Sequence, residues 1–403
     1  MLDQKDHTYS SLLWFSLGFL VLAIYYTANP QEVLTHYHNS EITYLKARDM
    51  ALGKHTYGMF FDGEDLRTPR YEFHMPEGPT YVMALWLKLG LPIKLYKIVP
   101  ILTSLLAHIF LLWAIFSRYG HCISKPKLAL FFSWIAYQPM IVAWSKAVDD
   151  GSFNISIMII MISLALLRHK KRHLYYLPLG LLLGFQEFYR QPMMILLLWF
   201  VEIFNFHQDK KSLIKPLILS FSIASIAGAG VVLGVLFHIY QLALVWNHWG
   251  DAWAEMAGAA LGRASIENDL NNTFYLAKME DQKFAGAPLE WVRSKTVWKI
   301  FHTFFWYDNG RIHIWPITFV AGIVYAAIHF HFTQHLSKLF KSSTSLFLVI
   351  LLFLFLIPNI WTILMPNHAS IHYYYIAKDY IGFFWALCIV ILELFRRNTN
   401  LSS

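Results

Sequence analysis

Long apolar runs alternate with short polar segments along this chain, and ten of the runs approach the roughly 20 residues that a bilayer crossing needs. They cover Leu12 to Tyr26, Lys97 to Phe116, Leu128 to Trp144, Ser152 to Leu167, Leu174 to Phe185, Gln191 to Phe206, Pro216 to Tyr240, Ile314 to Phe330, Ser345 to Ile360 and Ile376 to Phe395. The fifth is short and carries Pro178, and its polar turn into the sixth holds Glu187 and Arg190, so this hairpin need not cross fully. The pattern predicts an all-α integral membrane protein of about ten transmembrane helices, in which residues 1–403 form a single polytopic domain. Ten crossings put both termini on one side.

Two connections are far longer than the geometry requires, and both fall on the other side. Residues 29–96 follow helix 1 and include a helix-like stretch, Glu41 to Leu52, and an aromatic, Pro-bounded stretch, Pro79 to Leu91; such segments can lie in the interface plane. Residues 246–299 follow helix 7 and carry Trp246, Trp249, Trp253 and Trp291 among polar residues. Loops of that length are usually functional.

Composition supports the membrane reading and removes others. Apolar residues make up 57% of the 403 and charged ones 14%, where a soluble domain should carry about a quarter charged. A net charge of +8 could point to nucleic acid in a soluble protein. Here the cations sit in short runs between apolar stretches, which is a topology signal rather than a nucleic-acid signal. Arg118, Lys125 and Lys127 follow span two; Arg168, Lys170, Lys171 and Arg172 follow span four; Lys210, Lys211 and Lys215 follow span six; Lys338 and Lys341 follow span eight; Arg396 and Arg397 follow span ten. Cytoplasmic loops retain Lys and Arg, so the termini are expected in the cytoplasm, with the first span an uncleaved anchor. Cys122 and Cys388 are too few for a disulfide framework.

Four places on the outer side gather acids, bases and hydrogen-bonding aromatics. Glu41 opens an amphipathic stretch with Ser40 or Asn39 as cap, a favourable position for a carboxylate at a helix N-terminus, and a helix-start acid need do nothing more. In Tyr71-Glu72-Phe73-His74-Met75-Pro76-Glu77-Gly78-Pro79-Thr80-Tyr81, the Pro and Gly residues fix a turn from which Glu72, His74 and Glu77 project, as a site or as a solvated turn. Asp149 and Asp150, directly before span four, can take a divalent cation such as Mg²⁺ or Mn²⁺, hold sugar hydroxyls, or merely cap the helix. Finally, an aromatic belt explains Tyr373 to Tyr375 but not His368, His372 and Lys378 beside them; together these could bind a lipid-linked phosphate.

The order of these elements resembles a family. An N-terminal span, an outer loop opening Ser40-Glu41-Ile42-Thr43-Tyr44, a Pro-Glu-Gly-Pro-Thr-Tyr element before the second span, Asp-Asp after span three and His-Tyr-Tyr-Tyr before the last span are similar to the polytopic glycosyltransferases of the C fold class. That superfamily includes the protein O-mannosyltransferases and the lipid A aminoarabinose transferases. The resemblance implies an enzyme of the bacterial inner membrane and cell envelope. It would transfer a sugar from a polyprenyl-phosphate donor to a glycan, lipid or protein acceptor on the periplasmic face, with inversion. Glu41 would be the base that deprotonates the acceptor, Asp149 or Asp150 the second acid, and His372 with Tyr374 the His-x-Tyr motif. Ser40 stands where the family often has Asp, and Gly78-Pro79 where it has Pro-Pro. Which of Glu72 and Glu77 fills the neighbouring polar role stays open.

The chemistry needs few parts. Phosphate is already a good leaving group, so a base for the acceptor and cations for the departing phosphate suffice. Arg190, Lys378 and His372 are candidates for the latter, with Arg263 in the second long loop. The cytoplasmic segments carry no phosphate-loop motif, which disfavours a nucleotide-sugar donor. The competing readings are a transporter or flippase for a lipid-linked glycan, which should place ionisable groups near the midplane, and a polymerase or ligase with arginine-rich outer loops.

Overall fold

The computed structural model describes residues 2–27, 37–54, 59–62, 65–71, 78–138, 151–186, 191–207, 212–246, 314–329, 343–365 and 380–400, with isolated positions within 141–142, 249–257 and 334–340. Twelve helices and one hairpin are described: α1 (Leu2–Thr27), α2 (Tyr37–Ala51), β1 (Met59–Asp62), β2 (Asp65–Tyr71), α3 (Gly78–Lys88), α4 (Ile98–Tyr119), α5 (Lys125–Ala136), α6 (Gly151–Leu166), α7 (Arg172–Gln186), α8 (Gln191–Phe206), α9 (Ile214–Trp246), α10 (Ile314–His329), α11 (Thr344–Leu364) and α12 (Tyr380–Asn400). Each of the ten apolar runs is helical over most of the length described. The stretches Thr8–Tyr25, Ile93–Tyr119, Ile214–Leu244 and Thr344–Leu364 are long and apolar enough to cross a bilayer. Those four make this the architecture of a membrane protein. α7, at 15 residues with Pro178 inside it, reaches only about 22 Å at 1.5 Å per residue, short of a hydrocarbon core of about 30 Å.

Two expectations are corrected in the first long loop. It is not all helix: β1 and β2 pair antiparallel, Met59 opposite Tyr71 and Phe60 opposite Arg70, with an irregularity before Asp62 meets Asp65. Pro69 lies inside β2, which a two-stranded ribbon tolerates because one edge of each strand is unpaired. Nor does a helix open at Glu41. α2 already begins at Tyr37, so Asn39 and Ser40 are helical residues rather than caps. Their weak helix preference costs a few tenths of a kcal/mol each, which packing on one face overrides.

That packing joins α2 to α3. Ala47, Met83, Ala84 and Tyr96 form a small core with Tyr44, Met50 and Trp86 around it. Trp86 donates its indole N–H to the Pro92 carbonyl at 3.1 Å, fixing the turn that leads into α4. The opposite side of α3 leaves Tyr81, Leu85 and Leu89 exposed at i, i+4 and i+8, an apolar stripe. Tyr81 meets Phe185 at the end of α7, with ring centroids 5.7 Å apart.

The main core lies between α4, α5, α6, α8 and α12. α12 is its centre, burying Ile381, Phe384, Trp385, Cys388, Ile389 and Leu392. α1 is clamped by Tyr137, whose hydroxyl donates to the Phe15 carbonyl at 2.7 Å while its ring stacks on Phe15. α7 and α9 are bound differently, through paired glycines. A Cβ on Gly230 would stand 2.8 Å from the Leu181 nitrogen and 3.0 Å from the Gly180 Cα, and one on Gly184 would stand 3.0 Å from the Val231 carbonyl carbon. Gly180 and Gly184 thus face Gly230 and Gly234 as two interlocked Gly-xxx-Gly ridges, the means by which helices without water-driven association approach closely.

Candidate functional site

The residues read from the sequence as site candidates fall where little is described. Glu41 is placed by its backbone, in the second turn of α2, and its side chain lies outside the described residues. Glu72, His74, Glu77, Asp149, Asp150, Arg190, Arg263, His372, Tyr374 and Lys378 lie outside them altogether. Among the described residues no group of three or more His, Cys, Asp and Glu is placed to hold a metal. The acid pair that motivated the divalent cation, Asp149 and Asp150, is not among those residues. Neither cysteine is in a disulfide.

What is described around those segments is polar and buried. α2 turns Thr43, Lys46 and Asp49 into its packed face, and Lys46 is only 2% exposed. A buried lysine demands charge or hydrogen-bond partners, so the helix that carries Glu41 also carries a cation into the interior. Sequence reading passed over Lys46; its signal was its place at i, i+4 and i−3 from Met50 and Thr43, where an apolar residue would be expected. Asp49 is held on the rim by Arg48 at 3.0 Å and Lys54 at 3.6 Å. Thr80, the residue after Pro79, is buried at the start of α3.

Three carboxamides are buried as well: Gln138 just past α5, Asn154 in the first turn of α6 and Gln191 opening α8. Gln138 accepts the Ile141 N–H at 2.9 Å. Its amide nitrogen, like that of Gln191, has no hydrogen-bond partner among the described residues. In sequence these groups flank Asp149, Asp150 and Arg190.

The most completely defined polar site lies at the other end of the bundle. Glu393 and Glu202, both with fully buried side chains, stand in apolar helices. Arg118 donates from Nε to Glu393 Oε1 at 2.6 Å, Tyr119 donates its hydroxyl to the same oxygen at 2.8 Å, and Arg396 donates to Oε2 at 2.9 Å. Arg172 forks onto both oxygens of Glu202, at 2.6 and 2.8 Å, and the Tyr176 hydroxyl adds a third donor at 2.8 Å. Asn205 joins the two clusters: its amide nitrogen donates to Glu202 and to the Ala165 carbonyl, each at 2.9 Å, and its oxygen accepts from Arg118 at 2.6 Å and Arg168 at 3.2 Å.

Several donors on each carboxylate are what makes their burial tolerable. Burial alone would lower the Arg172 guanidinium, but the hydrogen bond and charge of Glu202 more than offset it and leave it above its ordinary value. The network ties together the ends of α4, α6, α8 and α12 and the start of α7. Lys125, after α4, also donates to Thr8 of α1 at 2.6 Å. The basic segments after spans two, four and ten and the N-terminal helix therefore meet at one end. At about 1.5 Å per residue α4 spans about 33 Å, so the α2–α3 pair at its start lies about a bilayer core away from this network. Sequence reading used these arginines only as topology markers and overlooked Glu202 and Glu393, whose signal was a lone acid inside an apolar run.

An ionisable group of α4 sits deep between the two ends. His108 is fully buried beside Phe19, Phe132 and Trp385, with Nδ1 2.7 Å from the Ser104 carbonyl. Comparison with protein-family models, with curated proteins and with solved structures returned no match.

Proposed function

We propose that this chain is a polytopic membrane glycosyltransferase. It moves a sugar from a polyprenyl-phosphate donor to a glycan, lipid or protein acceptor on the outer face of a bacterial inner membrane. About ten helices cross, with both termini and the arginine network on the cytoplasmic side, and the α2–α3 pair lies at the outer interface, its exposed Tyr81, Leu85 and Leu89 stripe turned to lipid.

The observation that carries this reading is the docking of α2, the helix of Glu41, on α3, the helix opened by Gly78-Pro79-Thr80-Tyr81. Two elements that the resemblance assigns to the outer side are packed against each other, and Lys46 of the one and Thr80 of the other are buried. In this mechanism Glu41 takes the acceptor proton as the acceptor oxygen or nitrogen attacks the anomeric carbon. The sugar–phosphate bond breaks and its electron pair leaves with the phosphate, where His372, Lys378 and Arg190 are the cations to receive it. Asp149 or Asp150 holds sugar hydroxyls or a divalent cation, and Gln138 and Gln191 offer carboxamide donors to the same hydroxyls.

The test is transfer by purified Glu41→Gln protein, which keeps size and hydrogen bonding but deletes the base. Turnover is expected to fall by about 100-fold or more, the usual worth of general base catalysis, with an unchanged melting midpoint. Near-normal turnover in folded protein removes Glu41 from the mechanism. A transporter or flippase for a lipid-linked glycan is favoured by one residue, His108, the ionisable group nearest the middle of α4. Its neighbours are aromatic and no carboxylate stands beside it among the described residues, which gives a transporter reading no ion pair to switch.

A further inference from the structure

The arginine network gathers five guanidinium groups at one end of the bundle. Among the described residues, Arg118, Arg172, Arg396 and Arg397 reach the carboxylates of Glu202 and Glu393, and Arg168 joins the same cluster through Asn205. Four of the five reach a carboxylate. Among the described residues Arg168 does not: its partners there are the Asn205 side-chain oxygen at 3.2 Å and the Phe204 carbonyl at 3.5 Å, both neutral. Partial burial, and next the like charge of Arg118, hold its guanidinium below its ordinary value.

Its backbone makes Arg168 stranger still. Among the described residues it is the only non-glycine at positive φ, 52°. It follows the end of α6, with its N–H donated to the Ala165 carbonyl at 3.1 Å. That is the helix-end position glycine fills without cost. An arginine held in a left-handed conformation stores strain, and strain of this kind collects at sites that bind or switch. The residue keeps a solvent-exposed side while its guanidinium is partly covered, and His169, Lys170 and Lys171 beside it are exposed. Geometry, charge and strain coincide at one surface point.

We propose that Arg168, with Lys170 and Lys171 beside it, forms a binding site for a phosphoryl group. A guanidinium without a carboxylate offers paired N–H donors to phosphate oxygens, and a basic site between helix ends is where anionic headgroups dock. Two sources carry that chemistry, the headgroup of an anionic phospholipid and free phosphate. The site is independent of the proposed transfer reaction at the other end of the molecule.

The experiment follows tryptophan-fluorescence melting of the full chain in detergent at fixed ionic strength. It is titrated with dioctanoylphosphatidylglycerol, with dioctanoylphosphatidylcholine and with inorganic phosphate. Phosphatidylglycerol is expected to raise the midpoint and phosphatidylcholine, whose phosphate is internally compensated, to do so far less. Stabilisation by phosphatidylglycerol with no response to phosphate assigns the lipid as source, and a response to phosphate alone assigns the free ion; both support the site.

Arg168→Gly is expected to melt at or above the wild-type midpoint without ligand, because glycine takes φ > 0 freely, yet to bind about tenfold more weakly, the worth of one charge-assisted hydrogen bond. Arg168→Gln, which keeps the volume, should show the same loss. Arg48→Gln, at the far end of the molecule, should bind like wild type. Wild-type affinity in Arg168→Gly and Arg168→Gln, equal losses in Arg48→Gln, or no preference for phosphatidylglycerol or phosphate over phosphatidylcholine overturns the proposal.

Discussion

Glu202 stands in Trp199-Phe200-Val201-Glu202-Ile203-Phe204, where every neighbour in sequence is apolar. Its carboxylate is stable there because Arg172, Tyr176 and Asn205 supply four donor contacts. Removing one partner leaves the others buried and unpaired, so Glu202→Ala should cost about 3–5 kcal/mol. Replacing both Glu202 and Arg172 by Met removes the charges together and should cost much less than the two single changes added. Denaturation of the four proteins checks this, and simple additivity would count against the coupling. The same residues show how far sequence reading reaches at this scale. Arg118, Arg172 and Arg396 were visible as basic-loop residues, but that they share two acids requires helices far apart in sequence to end together, as Arg118 and Glu393 do. Lys46 was hidden for the opposite reason: a charged residue in a polar loop reads as solvated until a second helix is seen to cover it.

At the scale of elements, apolar runs were legible because length and hydropathy decide them locally, and ten runs gave ten helices. α2 and the β1–β2 hairpin were not. The extent of α2 back to Tyr37 is not marked by local propensity, since Asn39 and Ser40 are weak helix formers, and the Asp62-Gly63 signal for a tight turn lay in a segment read only as outer loop. The α7–α9 seam makes a prediction of its own. Gly230→Leu must push α9 off Leu181 and Gly180, and should destabilise by about 1–3 kcal/mol or more. Gly228 has no atom within 4 Å of its absent Cβ. Gly228→Ala should therefore stabilise the protein by about 0.5–1 kcal/mol, the helix preference of alanine over glycine. Melting midpoints that move the same way in both variants would contradict this assignment of the seam.

At the scale of the whole molecule, α4 separates a basic end from an end built on α2 and α3, and the proposed orientation gives each a side. Reporters fused after Arg172 and after Lys211 should register as cytoplasmic and one near Asn272 as outside. An outside signal after Lys211 would invert the molecule and move the proposed outer site to the wrong leaflet. The membrane class could be read from composition, because a charged fraction of 14% leaves little else possible, and the helical runs from the spacing of apolar stretches. The candidate catalytic residues could be read only as motifs, since Glu41, Asp149 and His372 belong to three separate connections and no local pattern encodes how such connections meet.

The central claim is that the chain consumes a polyprenyl-phosphate sugar through Glu41. Mass spectrometry of the membrane lipids tests it most directly, comparing cells that lack the chain with cells that carry wild-type or Glu41→Gln protein at equal abundance. The account predicts that one polyprenyl-phosphate sugar accumulates in the first and third and returns to its normal level with the wild type. No accumulating polyprenyl-phosphate sugar, or full clearance by Glu41→Gln, would contradict it.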